Sequence, residues 1–99
     1  MRPHDLEAVQ SVLRDHQAFI YDRFRITDLL IFGSYARREQ TEQSDVDILI
    51  RYERAPTLWM IFELREYLSE LLGLPVDVVT EKGLNARMRS RVLAEAIKV

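Results

Sequence analysis

The chain has 99 residues, of which 47% are hydrophobic and 30% charged, with a formal net charge of -2. Such a chain builds one small globular domain (residues 1–99), and its charge gives no overall attraction to nucleic acid, leaving room only for a local basic patch. It has no cysteine, which excludes disulfides, zinc–thiolate sites and thiol catalysis. No apolar run is long enough to cross a bilayer, and the opening MRPHDLEAVQ does not read as a secretory leader. These features lead us to expect a soluble cytoplasmic protein, for which an oligomer or a partner complex would add stability.

In chain order, Leu6, Val9, Leu13, Phe19 and Ile20 recur at helical spacing, with Pro3 and Asp5 suited to a helix start. His16 falls within that apolar arc and reads as a partly buried, hydrogen-bonded structural histidine; His4 reads as exposed. Leu29-Leu30-Ile31-Phe32 is a continuous apolar run stopped by Gly33, the pattern of a buried strand. From Asp45 to Tyr52 the chain alternates in part, with Val46, Ile48 and Ile50 on one face and Asp45, Asp47 and Leu49 on the other. Thr57 can cap a helix running to about Leu72, ended by Gly73 and Pro75. Val76 to Val79 reads as a third strand and the segment from about Leu84 as a final helix. Helices alternating with strands predict an α/β (α+β) fold, a small mixed sheet flanked by helices.

Chemistry concentrates in Gly33-Ser34-Tyr35-Ala36-Arg37 and, shortly after, Ser44-Asp45-Val46-Asp47. Residues two apart on a strand face the same way, so Asp45 and Asp47 project side by side. Two carboxylates crowded beside Ile48, Leu49 and Ile50 repel each other and resist desolvation, and a divalent cation relieves both strains. Hard oxygen ligands suit magnesium, or manganese, which keep waters and bind substrate phosphates. Asp77 lies within another apolar strand, and if the two strands are neighbours three carboxylates converge. Gly33 permits close approach of a phosphate, Ser34 adds a hydroxyl donor at a helix start, and Arg37 adds a cation for a phosphate or a carboxylate. Ser44 can cap or hydrogen-bond near Asp45.

Gly33-Ser34-x-Ala36-Arg37 followed by Ser44-Asp45-x-Asp47, with Asp77 downstream, resembles the signature of the minimal nucleotidyltransferases of the DNA polymerase beta-like superfamily. The resemblance runs from the leading helix to the C-terminal helix and implies the nucleotidyltransferase fold. It also implies metal binding and catalysis by Asp45, Asp47 and Asp77, with nucleotide binding by Gly33, Ser34, Arg37 and Ser44. Arg38 departs from the pattern, which commonly has glycine after the arginine. Such proteins often pair with a HEPN toxin and act as its antitoxin, moving AMP from ATP to a toxin tyrosine. The resemblance therefore implies ATP and a HEPN-type protein as partners.

Other readings compete. Asp45-x-Asp47 alone would suit a solvated strand end paired with Arg37, Arg38 or Arg51. Haloacid dehalogenase-like proteins also use Asp-x-Asp, but there the apolar strand precedes the aspartates. A non-catalytic antitoxin acting by occlusion and a small-molecule nucleotidyltransferase remain alternatives. The helix from Thr57 has an apolar arc wider than one sheet face needs, and Trp59 sits on its polar side. Trp59 either folds over the loop at Pro56 or belongs to a contact surface. The final segment, with Lys82, Arg87, Arg89, Arg91 and Lys98, reads as a solvated face whose arginines could alternatively reach the triphosphate. It has no interleaved aromatics for stacking bases, so direct nucleic-acid binding is not expected.

Overall fold

A computed structural model describes residues 5–99; Pro3 and His4 lie outside the described residues. Two short helices open the chain, α1 (Leu6–Asp15) and α2 (Gln17–Phe24). Strand β1 (Ile26–Phe32) leads into the single turn of α3 (Gly33–Ala36), and β2 (Val46–Tyr52) follows a loop. The long helix α4 (Leu58–Leu72) returns the chain to β3 (Val76–Thr80). A 3-10 turn (Glu81–Gly83), α5 (Ala86–Glu95) and β4 (Ile97–Lys98) complete the fold. The strands form one mixed sheet in the order β3-β2-β1-β4. The β1–β2 and β1–β4 pairs are antiparallel, and β2–β3 is parallel.

Local chemistry explains most boundaries. Asp5 caps α1 by accepting a hydrogen bond from the Ala8 N–H at 2.8 Å. Thr57 caps α4 through the Met60 N–H at 3.1 Å, and Gly73 ends that helix in the left-handed region at φ 66°. The predicted single opening helix is instead broken at His16, the boundary residue of both α1 and α2. Its ring Nδ1 lies 2.9 Å from the Val12 carbonyl oxygen. The histidine is therefore structural, as expected, but at a break rather than mid-helix. Beyond that break Phe19 no longer shares the buried face and is 51% exposed.

The sheet is covered on both faces, which the partial alternation of β2 did not reveal. Leu29 and Ile31 of β1 and Val46, Ile48 and Ile50 of β2 pack against α1, α2 and α4 through Leu6, Val9, Leu13, Ile20, Leu64, Leu68 and Leu72. On the opposite face Leu30 and Leu49 meet Leu84 and Val92, so Leu49, expected beside the aspartates on an open face, is fully buried beneath α5. The continuous apolar character of β2 is what double coverage requires. Four strands rather than three are present among the described residues. The fourth, β4, has only two residues, too short for a periodic signal.

The α4 arc divides in two. Leu64, Leu68 and Leu72 are buried, whereas Leu58 is 86% and Trp59 68% exposed. Trp59 stacks on Phe62, ring centroids 5.8 Å apart. No helix among the described residues is long and apolar enough to cross a membrane. Leu68→Ala should lower unfolding free energy by about 2–5 kcal/mol through cavity formation, while Trp59→Ala should change it by less than about 0.5 kcal/mol. Denaturant titration of the two variants checks both values.

Candidate active site

Strand pairing assembles the site. In the parallel β2–β3 pair Asp47 lies in register with Asp77, and across β1–β2 Asp47 opposes Phe32, the residue before Gly33. Neighbouring strands are about 4.8 Å apart, so register alone brings the Asp47 and Asp77 backbones to adjacent positions. Alternation places both carboxylates on the α5 side of the sheet, the side of Leu49 and Val79. Asp45 stands one residue before β2 rather than within it, exposed, as is Asp77.

Gly33 is required for two reasons. Its φ is 73°, which L side chains rarely adopt. A Cβ built there would also sit 2.2 Å from Asp47 Oδ2, so the carboxylate occupies the space a side chain would need. Asp47 is half-buried, and its carboxyl is pushed up from 3.8 to about 6, first by desolvation, then by the charges of Asp77 and Asp45. Arg37 opposes this shift, and Glu95 adds to it.

The ion-pair reading of Asp45 and Asp47 fails on the arginines. Arg37 binds Glu39 at 2.9 Å and Glu95 at 2.8 Å, Arg38 binds Glu7, and Arg51 binds Glu81 at 3.1 Å. Each is held by glutamate, so the aspartates keep their mutual repulsion. Arg37 thus holds carboxylates, tying the end of α3 to α5, one of the two roles open to it. Arg38 adopts φ 60°, which explains why glycine is the usual residue there, and its guanidinium turns to α1. Ser44, expected to cap or hydrogen-bond near Asp45, accepts from the Thr41 N–H at 2.8 Å through its Oγ and so organises the preceding loop. Ser34 lies half-buried in the first turn of α3.

Two residues that the sequence reading passed over matter here. Glu39 and Glu95 restrain Arg37, yet Glu95 looked like one more member of a mixed charge run, and only the packing of α5 reveals its partner. In the same run Arg89 donates to the carbonyls of Glu81 and Leu84, both at 3.1 Å, and so holds the 3-10 turn rather than facing solvent alone.

The donor set is all oxygen and suits a hard divalent cation. Among the described residues no group of three or more histidine, cysteine, aspartate or glutamate side chains is placed to hold a metal ion, so Asp45, Asp47 and Asp77 do not form the fully convergent set expected. An open, incomplete set is what magnesium accepts, because it retains waters and takes substrate phosphate oxygens. The raised Asp47 carboxyl has a stability consequence. Its protonated form is favoured by folding, so that contribution is present below about pH 4 and is lost as pH rises to about 6. Asp47→Asn should therefore unfold at a higher temperature than the parent at pH 7 without divalent ions, the difference vanishing near pH 4. Thermal melts across this range measure it.

Comparison with known proteins identifies the family. Residues 13–99 match the nucleotidyltransferase domain family. The chain is 43% identical over 94 residues to the protein adenylyltransferase MntA of Thermococcus cleftensis, covering 95% of each chain. It superposes on a solved minimal nucleotidyltransferase with TM-score 0.82 at 38% identity, covering 97% of both chains. It also shares its fold with a chain of the complex between a tri-AMPylated Shewanella oneidensis HEPN toxin and its MNT antitoxin, at TM-score 0.62 and 19% identity over 94% of this chain and 66% of that one. Enzymes of this kind generally use divalent metals. The chain belongs to the nucleotidyltransferase domain family, as an enzyme of its minimal nucleotidyltransferase branch.

Proposed function

We propose that this protein is a magnesium-dependent protein adenylyltransferase that moves AMP from ATP to a tyrosine hydroxyl of a HEPN-type toxin and so acts as its antitoxin. The observation that carries the reading is the in-register placement of Asp47 and Asp77 beside Gly33, with Asp45 adding a third charge that Arg37 offsets only in part. The name of the Thermococcus relative and the AMPylated toxin in the Shewanella complex support the donor, the acceptor class and the partner.

In this reading Asp45 and Asp47 hold the metal, and Asp77 shares it or takes the acceptor proton. A cation held there would neutralise charge on the triphosphate and its leaving group. Gly33 leaves backbone N–H groups open to phosphate oxygens, and the Ser34 hydroxyl adds a donor. Arg37, fixed by two glutamates, keeps the loop at the sheet edge and supplies positive charge near it. The acceptor oxygen attacks the α-phosphorus, the bond to the bridging oxygen breaks, pyrophosphate leaves, and the hydroxyl proton passes to Asp77. Ser44 acts here by shaping the loop that delivers Asp45.

A binding module that neutralises a toxin by occlusion is the second reading, favoured by one feature. Leu58, Trp59 and Phe62 are exposed at the start of α4, at the opposite end of the sheet from the aspartates. At 1.5 Å per residue α4 spans about 20 Å, so a protein held at that end would touch the catalytic end only if it reached along the helix.

Incubation with ATP, magnesium and a HEPN-type toxin, followed by intact mass, separates the readings. A gain of one or more AMP masses on the toxin is expected, lost in Asp47→Asn with the fold intact. Unmodified toxin that is nevertheless bound and neutralised would leave only the binding module. Gly33→Ala should reduce transfer by more than about a hundredfold, because its new Cβ displaces the Asp47 carboxylate from the required geometry. Initial rates at saturating ATP test that value.

A further inference from the structure

Beside the phosphate loop, on the same face of the sheet as the aspartates, the chain forms a second concavity. It lies between the end of β1 and the outer side of α5, with walls from Phe32, Gly33, Met88, Arg91, Val92 and Glu95, and encloses roughly 190 Å³. Its composition differs from that of the carboxylate cluster. Phe32 is half-buried, Val92 buried and Met88 47% exposed, which makes the walls largely apolar. The polar groups stand at the rim, an exposed Arg91 and a Glu95 carboxylate whose side chain is 24% accessible.

We propose that this cleft receives the base of the nucleotide, a planar heterocycle carrying an amino group; the proposal rests on the nucleotidyl-transfer reading above and extends it from phosphates to base. Gly33 and Arg37 belong both to the α3 turn and to the lining of the cleft, so the two regions adjoin. The apolar walls favour a flat ring, while Arg37 and Arg91 supply the positive charge in the lining. Met88 offers a polarizable thioether to an aromatic ring, and the Arg91 guanidinium can stack on a ring face. Glu95 accepts two hydrogen bonds from Arg37, at 3.2 and 2.8 Å, yet a carboxylate has about four lone-pair sites. Its remaining sites accept from an exocyclic amine and repel a ring carbonyl, which favours adenine or cytosine over uracil. Exposed Met88, otherwise unexplained on a polar helix, acquires a role.

The test compares ATP with inorganic tripolyphosphate, both with magnesium, on the full chain labelled at its methionine methyl groups. ATP should shift the Met88 methyl resonance through the ring current of the base and leave Met60 unmoved; tripolyphosphate should move neither. Met88→Ala should weaken ATP about fivefold, from its lost apolar contact, and leave tripolyphosphate within about twofold. An unmoved Met88 methyl at saturating ATP, or equal weakening of both ligands in Met88→Ala, would overturn the base site while leaving the phosphate reading in place. A Met88 shift with ATP but no binding of tripolyphosphate would keep the base site and remove the phosphate loop. Failure of ATP to bind at all would overturn both.

Discussion

Parallel strands cannot be joined by a tight turn, so the hydrogen-bonded pairing of β2 with β3 obliges the intervening chain to travel the length of the sheet and come back. Helix α4 makes that journey, and its length follows from the strand length it must match. Its return is held closely. The Val76 N–H donates to Ser69 Oγ at 3.2 Å, and the Val46 N–H donates to the Pro75 carbonyl at 2.9 Å. These contacts set where β3 begins and hence that Asp77 lies level with Asp47. A shift of one residue would send Asp77 to the opposite face, among the leucines of α4.

Electrostatics then makes the crowded acidic corner costly on its own. Around it the chain has cations enough, but nearly all are committed to glutamates, and the one that eases Asp47, Arg37, does so from its bridge to α5. A carboxylate cluster compensated only in part raises the free energy of the protein, a cost that any cation bound there would relieve. The same reasoning explains why Gly33 leaves no room for a side chain: the Asp47 carboxylate is positioned by the backbone turn itself.

Much of this was legible before any coordinates. Caps at Asp5 and Thr57, the stop at Gly73 and the apolar runs of β1 and β3 are local signals, and local chemistry settled those elements. The pairing of Asp47 with Asp77 was legible only as a condition, since register is a tertiary property. What escaped reading depended on contacts distant in sequence. The burial of Leu49 beneath α5, the Arg37–Glu95 bridge and the two-residue β4 each reflect a neighbour that no window of the sequence contains. Arg38 is the instructive intermediate case. The sequence marked the departure from glycine, but only the positive φ explains what the glycine is for.

The sheet has two unpaired margins, β3 and β4, and exposed strand edges invite other chains to add to them. At β4 the invitation is limited by a length of two residues. At β3 the margin is longer and apolar, Val76, Val78 and Val79, interrupted by the charge of Asp77. A second strand laid along that edge would have to crowd or desolvate this carboxylate. A charge at this position therefore limits edge-to-edge pairing along β3, and a neutral residue there would leave the margin continuously apolar.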